Sequence, residues 1–319
     1  MNLDTLIISM YTRIDDELKI ACQRLHTQRL RQRGPTPTLA DAEVLTMECV
    51  GEFLGLDAYS RNSPTPESCL LRSPLPPSVS RFSLCPPLPA LARVHRTTFV
   101  RQAANLWHLK ELLWRRVAEE VAGADDRLHI VDSLPVPICR FARAPFCQHL
   151  RGTARYGKDH ADRQTFYGFR LHARLTWPGL LSEIVLAPAN QSEPSVLAPL
   201  VNRAPAGCMS LGDRNYCSTV SAARLAADGQ RLVTPPAHQA RHDPEAVRGK
   251  KWAYSDTRYL IETVFSQMTE RFHVKRVWAR DLWHLTSRIY RKVLAHTLAV
   301  ILNMEQGNRP LQFDHLLQA

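Results

Sequence analysis

No CxxC pair occurs among the eight cysteines of this chain, which stand at 22, 49, 69, 85, 139, 147, 208 and 217. Scattered thiols of this kind exclude a disulfide framework and read as reduced, intracellular cysteines. Cys139, Cys147 and His149 are near neighbours, but their spacing matches no zinc motif. Long apolar runs are missing too. The most apolar stretch, Val293–Leu302, is broken by His296 and Thr297, well short of the roughly 18 residues a membrane span needs. Asp4 precedes any basic residue, so the start lacks the charged opening of a signal peptide. Neither a membrane protein nor a disulfide-stapled secreted one is expected from these patterns, and a cytoplasmic location is.

Acidic charge is in deficit. Lys and Arg number 41 against 30 Asp and Glu, giving a net charge of +11 and a pI near 9.5. Two segments hold most of the excess. Residues 140–175 carry eight Arg or Lys against Asp159 and Asp162, and residues 241–292 carry twelve against six acids. Positive charge concentrated in this way predicts a polyanionic partner, nucleic acid before others. Lys158, Arg163, Lys250, Lys251, Lys275 and Arg276 are its candidate contacts. At 319 residues and 45% apolar, the chain can build one large domain with an appendage, or two modest ones.

Periodicity divides the chain. Residues 1–57 read as helical: Leu6, Ile7, Met10, Ile14 and Leu18 recur at helical spacing, and Thr38 with Asp41 resembles a capping box before Val44 and Leu45. This region is a candidate DNA-binding module or helical lid. Residues 58–92 are irregular; eight prolines and seven serines fall within 59–89. A connecting region follows at 93–124, with one long helix expected from about Phe99 to Val121. From 125 to 305 the texture becomes α/β, with a tail at 306–319. Short strands are expected at Leu128–Val131, Phe166–Trp177, Leu181–Leu186, Met209–Gly212 and Arg231–Thr234. Helices are expected at Ser195–Val201, Ser218–Ala227, Thr257–Phe272 and Leu282–Asn303. The order β-β-β-α-β-α-β-α is that of a ribonuclease H-like mixed sheet flanked by helices, here with an all-α N-terminal region.

Asp132 and Asp213 each follow a short apolar strand, which would place them at a sheet edge, where open α/β folds keep their sites. Either alone could be a turn former. Glu262 lies beside the apolar stripe Ile261, Val264, Phe265 and Met268, and alone it could be a surface residue paired with Arg258 one turn earlier. Together, two strand carboxylates and one helical carboxylate can converge to hold two divalent metals for phosphodiester chemistry. Oxygen ligands suit magnesium, with manganese as an alternative, rather than zinc. Arg170 and His172 share one strand face and are candidate phosphate contacts. Trp278 and Trp283 are core residues in preference to base-stacking ones.

Four segments in order resemble the successive signatures of DDE-type transposases of bacterial insertion sequences. They are Val131-Asp132-Ser133, Phe166-Tyr167-Gly168-Phe169-Arg170-Leu171-His172, Leu211-Gly212-Asp213-Arg214-Asn215-Tyr216 and Leu260-Ile261-Glu262-Thr263-Val264-Phe265-Ser266-Gln267. The insertion sequence 982 family is the most similar group, and the likeness covers about 35–57 and 93–303. The resemblance implies that Asp132, Asp213 and Glu262 are the catalytic, metal-binding triad, with Arg258 as a DNA contact. It also implies cleavage at terminal inverted repeats and attack of the freed 3′-hydroxyl on target DNA. Two Mg2+ ions, double-stranded DNA and a homo-oligomer assembled on it complete the expectation, for a bacterial protein that joins the nucleoid when bound. Neighbouring groups carry a Tyr and a Lys where this chain has Ser255 and Thr269.

The 59–89 stretch departs from that family. Two compensating frameshifts would explain ordinary sequence, then a Pro/Ser-rich insert, then ordinary sequence again. The expected result is that one alternative frame, from about codon 58 to codon 88, is open and encodes a low-proline helical segment. Stops in both alternative frames of the gene would rule the idea out and leave a polyproline-type linker.

Overall fold

The computed structural model of the chain describes residues 1–26, 37–55, 95–122, 127–159, 162–216, 218–234 and 258–317. Residues 59–89, Lys250 and Lys251 lie outside these. Two compact units emerge: 1–116 with 271–273 and 283–319, and 117–270 with 274–282.

The first unit is helical. Helix α1 (Leu3–Arg24) buries Leu6, Met10, Ile14 and Leu18 along one stripe, and Asn2 caps it by accepting the Thr5 N–H at 2.8 Å. Helix α2 (Asp41–Phe53) starts differently from the expected Thr38/Asp41 box. The Ala40 N–H donates to Glu43 Oε2 at 2.6 Å, and Asp41 instead accepts from Gln102. The single helix expected at 99–121 is two, α3 (Arg96–Asn105) and α4 (Trp107–Val121). They part at Leu106, whose N–H reaches back to both Gln102 O and Ala103 O, tightening the turn. Helix α8 (Leu282–Glu305) was expected inside the 125–305 domain, yet from Trp283 onward it belongs to the first unit.

This core holds an ion network. Lys110, with no exposed surface, lies 2.6 Å from Glu48, and Glu48 also meets Arg291 at 3.1 Å. Glu52 in turn pairs with Arg291 and with Lys292. His296 is buried between the rings of Phe272 and Phe313, and burial pushes its pKa down to about 3 from an ordinary 6.5. Between those values the unfolded chain binds a proton that the folded chain refuses. Stability is therefore fully present above about pH 6.5 and declines as pH falls toward 3. Urea unfolding followed by tryptophan fluorescence should show a midpoint that falls on acidification. His296→Met should make that fall shallower. An unchanged pH slope would mean that this imidazole does not resist protonation.

The second unit is built on a six-stranded mixed sheet. Its strands are β1 (Leu128–Pro137), β2 (Arg155–Asp159), β3 (Gln164–Thr176), β4 (Leu180–Pro188), β5 (Met209–Gly212) and β6 (Arg231–Val233). The path runs β4-β3-β1-β5-β6, with β2 also on β3. Strand β3 pairs antiparallel with β1 and with β4, while β1, β5 and β6 run parallel. Parallel neighbours need helical crossovers, and α5 (Glu193–Val201) and α6 (Thr219–Ala227) occupy those connections. Val196, Leu197, Leu200 and Leu225 of these helices pack with Val131 and Tyr216. Ser218 caps α6 by accepting the Ser221 N–H, and Gly229 at φ +68° turns the chain after it. Helix α7 (residues 258–270) comes last. The architecture is α/β of the ribonuclease H-like type, with one strand, β2, that the sequence pattern did not announce. No described helix is long and apolar enough to cross a membrane.

Candidate active site

Strand pairing brings the two aspartates together. Val131 of β1 is in parallel register with Gly212 of β5. Asp132 on β1 and Asp213 just after β5 directly follow this pair, on strands spaced about 4.8 Å apart. Gly212 permits this approach: a Cβ there would stand 2.8 Å from Val131 Cγ2. Asp132 does not end its strand, as the apolar run suggested. β1 continues to Pro137 against β3, while its partner β5 stops at Gly212, so Asp132 sits where one side of the strand opens. Asp213 starts a tight turn: its Oδ1 accepts the Arg214 N–H at 2.6 Å, and its carbonyl accepts from Tyr216 N–H at 3.0 Å.

Asp132, Asp213 and Arg258 line one cleft with apolar walls of Ile130, Val131, Leu211 and Ile261. Burial pushes the Asp132 carboxyl up to about 6. The charges of Asp213 and Glu262 push the same way, while the Ser133 N–H and the Arg258 guanidinium pull it back. Glu262 is thus close enough for its charge to act on Asp132. Its own carboxylate faces solvent and pairs with Arg258 at 3.1 Å, the i, i+4 pair that its helix position allows.

Glu193 is a carboxylate that sequence reasoning missed. It opens α5, with one oxygen buried and without a hydrogen-bond partner. Burial raises its pKa, and the charges of Asp213 and Asp132 add to that while Arg170 opposes it. In sequence it is only an acid in the first turn of a short helix, an ordinary helix-dipole position. Nothing local separates it from any other.

A buried polar layer supports this edge. Tyr216, fully buried, meets His172 Nδ1 at 2.7 Å, and burial raises its pKa, with the charges of Asp132 and Glu193 adding to the shift. His172 has no exposed surface; burial, then the charge of Arg170, takes it down to about 4, so it is neutral at pH 7. His172, a candidate phosphate contact in the sequence, is thus turned inward with its Nδ1 on the Tyr216 hydroxyl. Arg170 is half-buried and donates to Ser133 Oγ at 3.2 Å and to the Lys158 carbonyl.

The expected basic surface also needs correction. Lys275 is held by Asp159 at 3.0 Å and Asp162 at 2.8 Å. In the first unit Arg291 and Lys292 are buried against Glu48 and Glu52, and Arg271 pairs with Asp314. Two of the twelve cations in 241–292, Arg291 and Lys292, are therefore internal, and Arg271 and Lys275 are paired with acids. Lys158 and Arg276 are exposed. Trp283 donates to Ala104 O at 2.9 Å, and Trp278 is half-exposed.

The donors suit a hard divalent cation, being carboxylates without His or Cys. Their like charges crowd Asp132, and one Glu193 oxygen lacks any partner, which a cation would relieve. Among the described residues no three such groups are already drawn to ligand distance.

No curated protein matches the chain. A solved structure described as the cryo-EM structure of the piggyBac transposase synaptic complex with hairpin DNA is similar at 10% identity. Its TM-score is 0.44, over 98% of this chain and 77% of that one. The family model described as transposase DDE domain matches residues 122–281, half of the chain and the stretch that contains all three expected carboxylates, and the chain belongs to that family.

Proposed function

We propose that this chain is the transposase of a bacterial insertion sequence, in the 982 group, that cuts DNA at terminal inverted repeats and joins the freed 3′-hydroxyl to target DNA. The observation that supports the reading is that Asp132 and Asp213 each directly follow the registered pair Val131 and Gly212 of adjacent parallel strands, with the charge of Glu262 acting on Asp132. Asp132 and Asp213 would hold Mg2+ or Mn2+, two ions, and Glu262 would complete the set once released from Arg258. Such ions, when bound, supply activation of the attacking oxygen and stabilisation of the leaving one. Arg258, freed from Glu262, is positioned at the cleft to meet a backbone phosphate, as a fork of donors suits. Lys158 and Arg276 are exposed for the same purpose, and Arg170 holds β2 beside Ser133. A homo-oligomer on double-stranded DNA, in the cytoplasm and on the nucleoid, completes the proposal.

The test uses linear DNA carrying the inverted repeats that flank the gene, a target plasmid and magnesium. Joined products support the reading. Cleaved ends without joining would make this a nuclease of the same fold. Shifted DNA without cleavage would make it an end-binding remnant.

A further inference from the structure

The segment between β1 and the end of β2 buries Ile138 and Leu150 but exposes three rings. Ala144 and Ala154 are buried, whereas Phe146 is 81%, Phe141 54% and Tyr156 48% exposed. Exposed large rings grouped in one segment depart from the ordinary preference, in which large apolar side chains go inside. Two of the rings are held in place. Phe141 sits on a 3-10 turn (Phe141–Phe146) and meets Tyr156 edge-on at 6.4 Å, and Tyr156 packs on Tyr167 at 5.0 Å. Arg140, Arg143, Arg151, Arg155 and Lys158 stand in the same segment, all exposed, and no Asp or Glu lies between Ser133 and Lys158. The Arg170 guanidinium joins Lys158 O to Ser133 Oγ, while Tyr156 pairs with Tyr167, six residues along β3 from Ala173, the partner of Asp132, so the rings lie roughly 20 Å along the sheet from that carboxylate.

We infer that this face binds unpaired nucleotides of the strand that runs away from the cleavage site, with bases stacked on Phe146, Phe141 and Tyr156 and phosphates on the arginines of the same segment. Rings interleaved with cations are the composition of a single-strand surface, because every base offers a face to stack and every nucleotide a charge. A second copy of this chain fits poorly, since a two-fold contact would set five cations against the same five. The relation to a cleavage site rests on the transposase reading; the binding itself does not.

Fluorescence anisotropy of the full chain with fluorescein-labelled oligothymidylate, and with a blunt duplex of the same length, tests it. Phe146→Ala and the pair Phe141→Ala with Tyr156→Ala should each weaken oligothymidylate binding by about tenfold, in the range of stacking on one base. Duplex binding should change less. Phe146→Trp should retain affinity and Phe146→Leu should lose it. Unchanged oligothymidylate binding by Phe146→Ala, or retention by Phe146→Leu, overturns the inference. So does a wild-type dimer that Phe146→Ala dissociates with oligothymidylate binding unaltered, which marks a subunit interface, or binding of anionic vesicles without oligothymidylate. If nicking persists while these variants bind normally, this inference fails and the carboxylate reading stands. Ring-dependent binding by a chain that never nicks supports the inference and counts against that reading.

Discussion

Asp213→Asn is expected to lower magnesium-dependent nicking of end DNA by more than about 10²-fold, the loss that even outer-shell changes inflict at metal sites. DNA binding should survive. The change removes one negative charge but keeps the shape of the side chain. It also leaves an oxygen to accept the Arg214 N–H that shapes the turn at 2.6 Å. Asp132→Asn should behave alike, because the two residues follow a registered pair on adjacent strands. Glu262→Gln should do the same, although Glu262 lies exposed on α7 and is paired with Arg258. Arg258→Ala separates the roles: it removes a phosphate contact and frees Glu262, so it should weaken DNA affinity more than it lowers the rate at saturating DNA. Normal nicking by Asp213→Asn in magnesium would remove the basis for the triad.

Lys110→Met is expected to destabilise the helical unit by about 3–5 kcal/mol, the cost of breaking one partner out of a buried ion pair. Lys110 is wholly buried, with Glu48 at 2.6 Å and with Ala103 O and Ser287 Oγ at 2.8 Å. Methionine fills a similar volume, so the loss reports Glu48 left with one fewer counter-charge. Burial lowers the pKa of Lys110, and the charge of Glu48 raises it back, so the pair is mutually dependent. Adding Glu48→Gln should recover part of the loss, because the orphaned negative charge is removed as well. Urea unfolding of the full chain measures both variants. A loss below about 1 kcal/mol, the level of an exposed pair, would show that the network contributes little.

Those two sites differ in how far the sequence reveals them. Asp132 and Asp213 were legible because a short apolar run followed by Asp is a local pattern, and because the matching segments come in the family's order. The position of Asp132 within its strand was not legible. Whether a strand continues depends on where its partners end, and β5 ends at Gly212, some eighty residues later in the chain. Strand β2 escaped notice because Arg155-Tyr156-Gly157-Lys158-Asp159 is short and polar. Charge counting failed at Lys292 and Arg291 for a related reason. Their partners Glu48 and Glu52 lie more than two hundred residues away on α2, and no local feature separates them from the exposed Lys158. Glu193 was invisible for want of any neighbourhood in sequence, since only the fold sets it near Asp132 and Asp213.

The account stands on one claim, that these carboxylates form a single divalent-cation site. Isothermal titration of Mn2+ into the full chain, bound to a duplex carrying the flanking inverted repeat, tests it most directly. The prediction is two ions bound by the wild type, with affinity falling at least about tenfold in Asp132→Asn and in Asp213→Asn alike. Wild-type Mn2+ affinity and stoichiometry in either variant, or no Mn2+ binding by the wild-type complex, would contradict it.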